Sequence, residues 1–277
     1  MKTLGLIAGS GLLPVSLARH CQSIGRPLFV LRVSGFADPS LQTFEGCEIG
    51  FAELGRAFSA LRSAGCEAVC FAGGVARPNL GELKPDLRGL AALPGALAAA
   101  RGGDDGLLTY LLRQFEQEGF EVEGAHEVMD TLLLPPGPLG CVGPRRAHKA
   151  DIDRAMLAAR AIGALDIGQG AVCCDGLVLA LEAQEGTDAM LRRIPALAPS
   201  IRGAPDRPRG VLAKACKPTQ ETRIDLPTIG PETIQNAAEA GLAGVAGEAG
   251  LVLVIDRDAV VELADRMGLF VVGVPRP

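Results

Sequence analysis

The chain has 277 residues, a length that suits one large domain or two modest ones. Its 48% hydrophobic and 21% charged residues exclude a disordered chain, because that much apolar side chain can build a core. A net charge of −5 and an aromatic content of 4%, without tryptophan, argue against a nucleic-acid partner, which requires clustered cations and stacking surfaces.

Neither a membrane span nor a zinc or disulfide framework is predicted. No apolar run reaches the roughly 18 residues that a bilayer span needs, and the apolar N-terminal segment is too short for a signal peptide. The eight cysteines form no C-x-x-C pair, and three histidines are too few to complete a zinc site. We therefore predict a cytoplasmic protein whose cysteines are reduced core residues.

The first third of the chain alternates short apolar segments with helical ones. The predicted helix at 12–23 is stopped by Gly25 and the one at 53–64 by Gly65, and residues 104–118 place leucines on one helical face. Apolar strands that alternate with helices are typical of βαβ units, which form a parallel sheet. The predicted strands are residues 4–8, 28–33, 68–72 and 120–122.

A proline-rich segment separates this part from the second one. Residues 132–148 contain four prolines and three glycines, a composition that disfavours a helix or a central strand. We predict an α/β fold with a Rossmann-like N-terminal parallel sheet (1–131), this linker (132–148) and a second α/β domain (149–277). In the second domain the predicted helices are 151–165, 231–241 and 258–267, and the predicted strands are 171–174, 177–183, 211–215, 251–255 and 269–274.

Two glycine-rich turns follow predicted strands, Gly-Ser-Gly at 9–11 and Gly-Gly at 73–74. At a helix N-terminus such a turn lets backbone amides approach a phosphate, and ligands of open parallel sheets gather at these strand ends. Pro14 stands where a dinucleotide fingerprint has its third glycine, and no acid ends the second strand, which disfavours NAD. A tight turn without a ligand accounts for the glycines equally well. The candidate substrate-binding residues here are Gly9, Ser10, Gly11 and Gly74.

Acidic residues mark two further positions. Asp104 and Asp105 precede a predicted helix, so they either cap that helix or extend a polar contact into the same cleft. Residues 182–188 close a predicted strand with three acids and the Thr187 hydroxyl, and two arginines follow. Mg²⁺ binds one or two carboxylates together with phosphate oxygens, and arginine binds phosphate. This segment therefore indicates either a magnesium–phosphate site or a capped loop with solvated charges.

A run of cations ends in a single carboxylate. Lys214, Lys217 and Arg223 precede Asp225, which stands before a stretch with proline and glycine and a helix. Lysine and arginine neutralise phosphate oxygens, while Asp225 is placed to bind a metal or to orient water. No serine or cysteine stands in a nucleophile elbow, and His148 lies among solvated charged residues at the end of the linker. Catalysis of the Ser-His-Asp or Cys-His type is therefore not predicted.

Together these motifs resemble the LpxI-type UDP-2,3-diacylglucosamine pyrophosphatase family of lipid A biosynthesis, over essentially the whole chain. In the first half they are residues 5–11 with Leu13-Pro14, residues 73–75 with Arg77-Pro78, and residues 103–105. In the second half they are residues 166–170, 182–183 and 185–188, Lys214 with Lys217-Pro218, and residues 223–231.

The resemblance implies a two-domain, magnesium-dependent hydrolase that cleaves UDP-2,3-diacylglucosamine to UMP and 2,3-diacylglucosamine 1-phosphate (lipid X). Asp225 matches the acid on which catalysis in this family depends. We expect Asp225 and Asp188 to hold Mg²⁺ against the pyrophosphate, while nearby cations stabilise the developing charge. The expected catalytic residues are Asp225, Asp188, Lys214, Lys217 and Arg223. The expected substrate contacts beyond the glycine turns are Asp104, Asp105, Gln169 and Thr187.

Two other classes of protein stay open. A non-catalytic nucleotide-sugar or lipid-binding module would use the glycine turns but would not require Asp225 among cations. An NAD-dependent oxidoreductase would require the missing third glycine. For the hydrolase, the expected partners are the substrate and lipid X, with transient contact at the cytoplasmic face of the inner membrane. The sequence leaves the oligomeric state open, and a homodimer is one alternative.

Overall fold

The computed structural model describes residues 1–75, 84–100, 104–218 and 220–276, with the side chains at 104 and 105 outside that description. The chain divides into two compact units. The first unit comprises Met1–Asp130 and Glu221–Asp225, and the second comprises Thr131–Gln220 and Leu226–Pro277.

The sheet of the first unit has five strands. They are β1 (Leu4–Ala8), β2 (Leu28–Val33), β3 (Gly46–Ile49), β4 (Ala68–Ala72) and β5 (Glu121–Val122). All neighbours pair in parallel, in the order β3-β2-β1-β4-β5. Every residue of β1 is buried, as is typical of a central strand that helices cover on both faces. The helices are α1 (Leu12–Ser23), α2 (Leu54–Ser63), α3 (Leu87–Ala100), α4 (Asp104–Gln117) and α5 (Ala125–Val128).

Phenylalanine side chains form part of the core of this unit. Phe115 of α4 packs edge-on against Phe58 of α2 and Phe71 of β4, with ring centroids 4.9 and 5.0 Å apart. Phe120 extends the cluster. Such pairs contribute about 0.5–1.5 kcal/mol each beyond the area that they bury. These aromatic rings therefore serve packing between helix and sheet.

The second unit contains a mixed six-stranded sheet. Its strands are β6 (Gly137–Pro138), β7 (Gly170–Cys174), β8 (Leu177–Leu181), β9 (Val211–Lys214), β11 (Gly244–Glu248) and β13 (Phe270–Val274); the short strands β10 (Thr228–Ile229) and β12 (Leu253–Val254) pair separately. The order is β6-β13-β11-β9-β7-β8, in which β9, β11 and β13 are parallel and the others antiparallel. The helices are α6 (Lys149–Ala164), α7 (Gly186–Arg193), α8 (Pro231–Glu239) and α9 (Arg257–Met267).

Helices cover both faces of this second sheet. Val211 and Ala213 of β9 belong to the core cluster that includes Met156 of α6. Leu212, between them, belongs to the cluster that includes Ile234 of α8. Side chains alternate between the faces of a strand, so a buried strand between two helical layers is apolar at every position. The predicted α/β class is confirmed in both units.

The proline-rich segment packs within the second unit. Leu134 is fully buried in the core there. Gly137 and Pro138 of β6 pair with Gly273 and Val272 of β13 at the edge of the sheet. An edge strand needs hydrogen bonds on one side only, so it tolerates a proline that a central strand would not. This segment can therefore extend the sheet at its edge despite its prolines.

Six of the eight cysteines are buried, as predicted, whereas Cys47 is half-buried and Cys141 is exposed, so the prediction that all of them are core residues is wrong for these two. None of the eight cysteines is in a disulfide. Burial raises the pKa of the Cys66 thiol to about 11 and that of Cys173 to about 12, so both stay protonated near neutral pH. Among the residues that the structure describes, no helix is long and apolar enough to cross a bilayer.

Candidate functional site

The two glycine turns of the first unit meet at the carboxyl ends of β1 and β4. The Ser10 amide donates to the Gly74 oxygen (2.8 Å) and the Gly74 amide donates to the Ser10 oxygen (3.1 Å). The Ser10 hydroxyl also donates to the Gly74 oxygen (2.8 Å). A Cβ on Gly9 would lie 2.6 Å from that oxygen, so the close approach of the turns requires glycine there.

Gly11 leads into α1 and leaves the start of this helix open. Its φ of +90° favours glycine, and a Cβ built on it would have no atom within 4 Å. Among the residues that the structure describes, no side chain caps the helix, so its first amides can bind an anion. Asp104 begins α4, but its side chain, that of Asp105 and the motif residues 77–78 and 103 lie outside the described residues.

A chain of buried polar side chains lies at the carboxyl end of β9 in the second unit. Lys214, the last residue of that strand, is 4% exposed. Its ammonium donates to the Thr187 hydroxyl (2.8 Å) and to the Thr228 carbonyl (2.9 Å). The Thr187 hydroxyl in turn donates to Oε1 of Glu182 (3.0 Å). Because a buried ammonium is costly unless it is hydrogen-bonded, these contacts hold Lys214 in one position.

Glu248 supports the loop that follows β9. It is fully buried at the end of β11, where its carboxylate accepts from Arg160 Nε (2.7 Å) and from the Cys216 amide (3.0 Å). The Cys216 thiol donates to the Gln220 side-chain oxygen (3.3 Å). These bonds tie the loop after Lys214 to the neighbouring strand and to α6.

Two more predicted residues lie at the same edge of the sheet. Lys217 donates to the Asp166 carboxylate (2.7 Å), and Asp166 has a positive φ of 55°. Gln169 precedes β7, where its backbone oxygen accepts from the Ala215 amide (2.9 Å). Since β7 runs antiparallel to β9, its beginning lies beside the end of β9. The structure thus brings together Gln169, Thr187, Lys214 and Lys217.

Asp188 lies in the first turn of α7. Its Oδ1 accepts from the Asn236 side-chain amide of α8 (2.9 Å), and the residue is half-buried. A carboxylate is favoured at the positive end of a helix dipole. The hydrogen bond to Asn236 fixes the orientation of this carboxylate.

The last part of the cation run packs in the first unit, within Glu221–Asp225. Arg223 donates through Nε and Nη2 to both oxygens of Glu221 (2.9 Å each) and through Nη1 to Glu116 (2.8 Å). These bonds hold the pKa of Glu221 below its usual range and raise the pKa of Arg223. Asp225 is half-buried, and its amide donates to the Glu221 carbonyl (3.1 Å). A run that is continuous in sequence is therefore divided between the units.

The donor chemistry suits Mg²⁺. Among the described residues, no three His, Cys, Asp or Glu side chains are grouped as a metal site. Mg²⁺ needs fewer protein ligands, because phosphate oxygens and water complete its coordination. Asp188 and Asp225 each present hard carboxylate oxygens at half-buried positions, and Asn236 already orients Asp188. Magnesium binding by this pair stays a prediction.

Sequence reasoning did not identify Glu248 and Arg160 as part of this edge. The signal for β11 is the apolar stretch at 244–247, which lies between two predicted helices and ends at Glu248. Two glycines in that stretch weaken its resemblance to a strand. Arg160 gives no local signal, because a basic residue on an amphipathic helix is usually solvated.

Comparison with known proteins places these features in a family. The LpxI N-terminal domain model matches residues 3–132, and the LpxI C-terminal domain model matches residues 135–272. A relative from Caulobacter vibrioides, the UDP-2,3-diacylglucosamine pyrophosphatase LpxI, is 61% identical over 274 residues, which cover 99% of this chain and 98% of the relative. The resemblance deduced from the motifs is confirmed.

Proposed function

Because the chain belongs to the LpxI family, we propose that it hydrolyses the pyrophosphate bond of UDP-2,3-diacylglucosamine in lipid A biosynthesis. Water adds across the bond between the two phosphates, and the products are UMP and 2,3-diacylglucosamine 1-phosphate. The observation that supports this function is the 61% identity, over 99% of the chain, to a protein named for that activity.

The chemistry requires that negative charge be neutralised. A pyrophosphate diester resists attack by water because its oxygens repel a nucleophile, so catalysis needs fixed positive charge and a positioned water. We assign the neutralising role to Lys214 and Lys217, which are held by the hydrogen bonds described above. A fixed ammonium in a water-poor site interacts more strongly with phosphate than it would in bulk water. Arg223 is the third cation, although two carboxylates share its guanidinium.

Mg²⁺ is the proposed cofactor, held by Asp225 and Asp188. When bound, the ion supplies further charge neutralisation at the phosphate oxygens. Asn236 keeps the Asp188 carboxylate in one orientation. The backbone of Glu221 anchors Asp225.

The remaining contacts are assigned to the substrate. The open amides at the start of α1 suit an anionic or hydroxyl group, and Ser10, Gly11 and Gly74 surround that position. At the edge of the second sheet Gln169 supplies its side-chain amide, and Thr187, whose single hydroxyl hydrogen goes to Glu182, can contact the substrate only as an acceptor. Contact with the cytoplasmic face of the inner membrane, a role for Asp104 and Asp105, and a homodimer stay predictions.

Release of UMP tests this function directly. The intact protein should hydrolyse UDP-2,3-diacylglucosamine with Mg²⁺ and lose activity with a chelator. Asp225→Ala should lower kcat at least about 100-fold, the size of effect that follows loss of a major electrostatic group. Asp206→Ala removes an exposed loop carboxylate and should retain activity.

Three results would refute parts of the proposal. Equal UMP release by the wild type and Asp225→Ala would exclude the role given to Asp225. A wild type that binds the substrate but releases no UMP with Mg²⁺ would favour the binding-module alternative. Full activity in the presence of chelator would exclude the cofactor.

A further inference from the structure

Glu182 is a buried carboxylate that the chemistry above does not use. It follows β8 and is 6% exposed. Its Oε1 accepts from Thr187, whereas its Oε2 is buried without a hydrogen-bond partner among the residues that the structure describes. Leaving a buried polar atom unpaired costs about 1–3 kcal/mol, and more for a charged group. A neutral or apolar side chain would avoid that cost, so the carboxylate points to a role beyond packing.

The fold provides a niche for this side chain beside Lys214. The Glu182 amide donates to the Gly170 carbonyl (2.9 Å). A Cβ on Gly170 would lie 2.4 Å from Oε2 of Glu182, and a Cβ on Gly168 would lie 2.2 Å from the Glu182 carbonyl oxygen. Gly170 is the residue of β7 that pairs with Lys214 of β9. Gly168 therefore admits the backbone of Glu182, and Gly170 admits its carboxylate next to the strand that ends in the buried ammonium.

The hydrogen-bond directions in this chain are determined by the groups themselves. An ammonium can only donate, and an ionised carboxylate can only accept. Thr187 has a single hydroxyl hydrogen, which it donates to Glu182, so its oxygen faces Lys214 as an acceptor. Glu182 thus orients the hydroxyl, and the hydroxyl orients the ammonium.

We propose that Glu182 is a positioning residue for hydrolysis, which acts on Lys214 through Thr187. This inference rests on the proposed function. The negative charge of Glu182 offsets part of the cost of burying the ammonium. Thr187 immediately precedes Asp188, so the same hydrogen bonds also anchor the first turn of α7 that carries the proposed metal ligand.

Steady-state hydrolysis by Glu182→Gln tests the role of the charge. The amide keeps the shape and an acceptor but removes the negative charge. We expect kcat to fall about 10–100-fold, as is usual when an orienting partner of a site residue is lost. KM should change little, because the fixed ammonium acts mainly on charge that develops in the transition state. Glu185→Gln, an exposed acid in the same segment that pairs with Arg193, is the matched control and should keep the wild-type kcat.

Thr187 variants test the path from Glu182 to Lys214. Thr187→Ser keeps the hydroxyl and should keep most of kcat, whereas Thr187→Val keeps the volume but removes the hydroxyl and should lose as much as Glu182→Gln. The double variant Glu182→Gln/Thr187→Val should be no slower than either single variant, because both changes break one chain. Thermal unfolding of each variant verifies that it is folded.

Several outcomes would overturn the role of Glu182. A wild-type kcat in Glu182→Gln, a change confined to KM, or multiplicative losses in the double variant would each do so. If Glu182→Gln does not fold, equal kcat values for Thr187→Ser and Thr187→Val would overturn it instead. Absence of UMP release by the wild type is a different result, since it would refute the proposed function itself.

Discussion

The carboxyl ends of the two sheets carry opposite kinds of polar group. In the first unit the edge is built from backbone: Ser10 and Gly74 exchange hydrogen bonds, and Gly9 and Gly11 keep side-chain volume away. In the second unit the edge is built from charged side chains that are almost fully buried. These are Glu182, Lys214 and Glu248.

The difference shows that the edge of an α/β sheet can serve either to bind an anion or to hold charges in fixed positions. Backbone amides at an open helix start can bind an anion without any charge having to be buried. Buried charges are costly to desolvate, and proteins keep them where a fixed field is useful, above all where charge develops during a reaction. We therefore expect changes at the second edge to affect kcat, and changes at the first edge to affect stability and substrate affinity.

Lys214→Met should have the largest effect. It removes the buried ammonium while keeping an unbranched side chain of comparable length. We expect kcat for UMP release to fall about 100–1000-fold, as on removal of one donor to a developing charge. Lys149→Met is the control, because that lysine is 72% exposed and pairs with Asp153 on its own helix. If the two variants had comparable kcat values, the expectation that the buried charges of the second sheet contribute to kcat would be wrong.

Gly9→Ala should mainly destabilise the first unit. Its Cβ would lie 2.6 Å from the Gly74 oxygen and 2.9 Å from the Gly73 oxygen, so the two turns would have to separate. Overpacking of this kind costs about 1–3 kcal/mol, which thermal unfolding detects as a lower Tm. Gly74→Ala is the matched control, since within the described part of the chain its Cβ would contact only the Ser10 hydroxyl oxygen, at 3.3 Å. A Tm for Gly9→Ala as high as that of the control would show that the turns need not touch.

Arg223→Ala should have the smallest effect on stability, and that effect should depend on pH. Arg223 lowers the pKa of Glu221 in the folded protein, so this pair stabilises the fold above the ordinary pKa of Glu221, and the stabilisation is lost as pH falls through the lowered value. We expect the variant to lose about 0.2–1 kcal/mol near neutral pH, because the pair is partly exposed. Denaturant titrations at several pH values should show the two proteins converging in acid. A difference that grows in acid would contradict the assigned cause.

Local patterns predicted most of the elements and missed those whose residues lack a strong pattern. The strands at 4–8, 28–33 and 68–72 have the bounds expected from their apolar sequences. β3, with the sequence Gly-Cys-Glu-Ile, is short and only partly buried, so its residues carry little strand preference. α3 contains Pro94, which normally argues against a helix interior.

The candidate site was predictable only in part. The sequence indicates Thr187 and Lys214, because a hydroxyl near acids and a lysine in a run of cations that ends at Asp225 suit phosphate chemistry. Their mutual hydrogen bond was not predictable, since they are 27 positions apart and meet only because α7 and β9 contribute to the same hydrophobic core. The segment with Arg223 illustrates the reverse case, because its charges continue a run in the sequence but pack in the other unit.

The sequence by itself determined the α/β class, the glycine turns and the identity of the chemically competent side chains. Apolar periodicity and turn composition act over a few residues, so they can be recognised without the fold. Only the tertiary structure decided that β9 lies between β7 and β11. That strand order places Glu182, Thr187 and Lys214 in one buried chain, because the pairing of distant strands depends on contacts that no local pattern encodes.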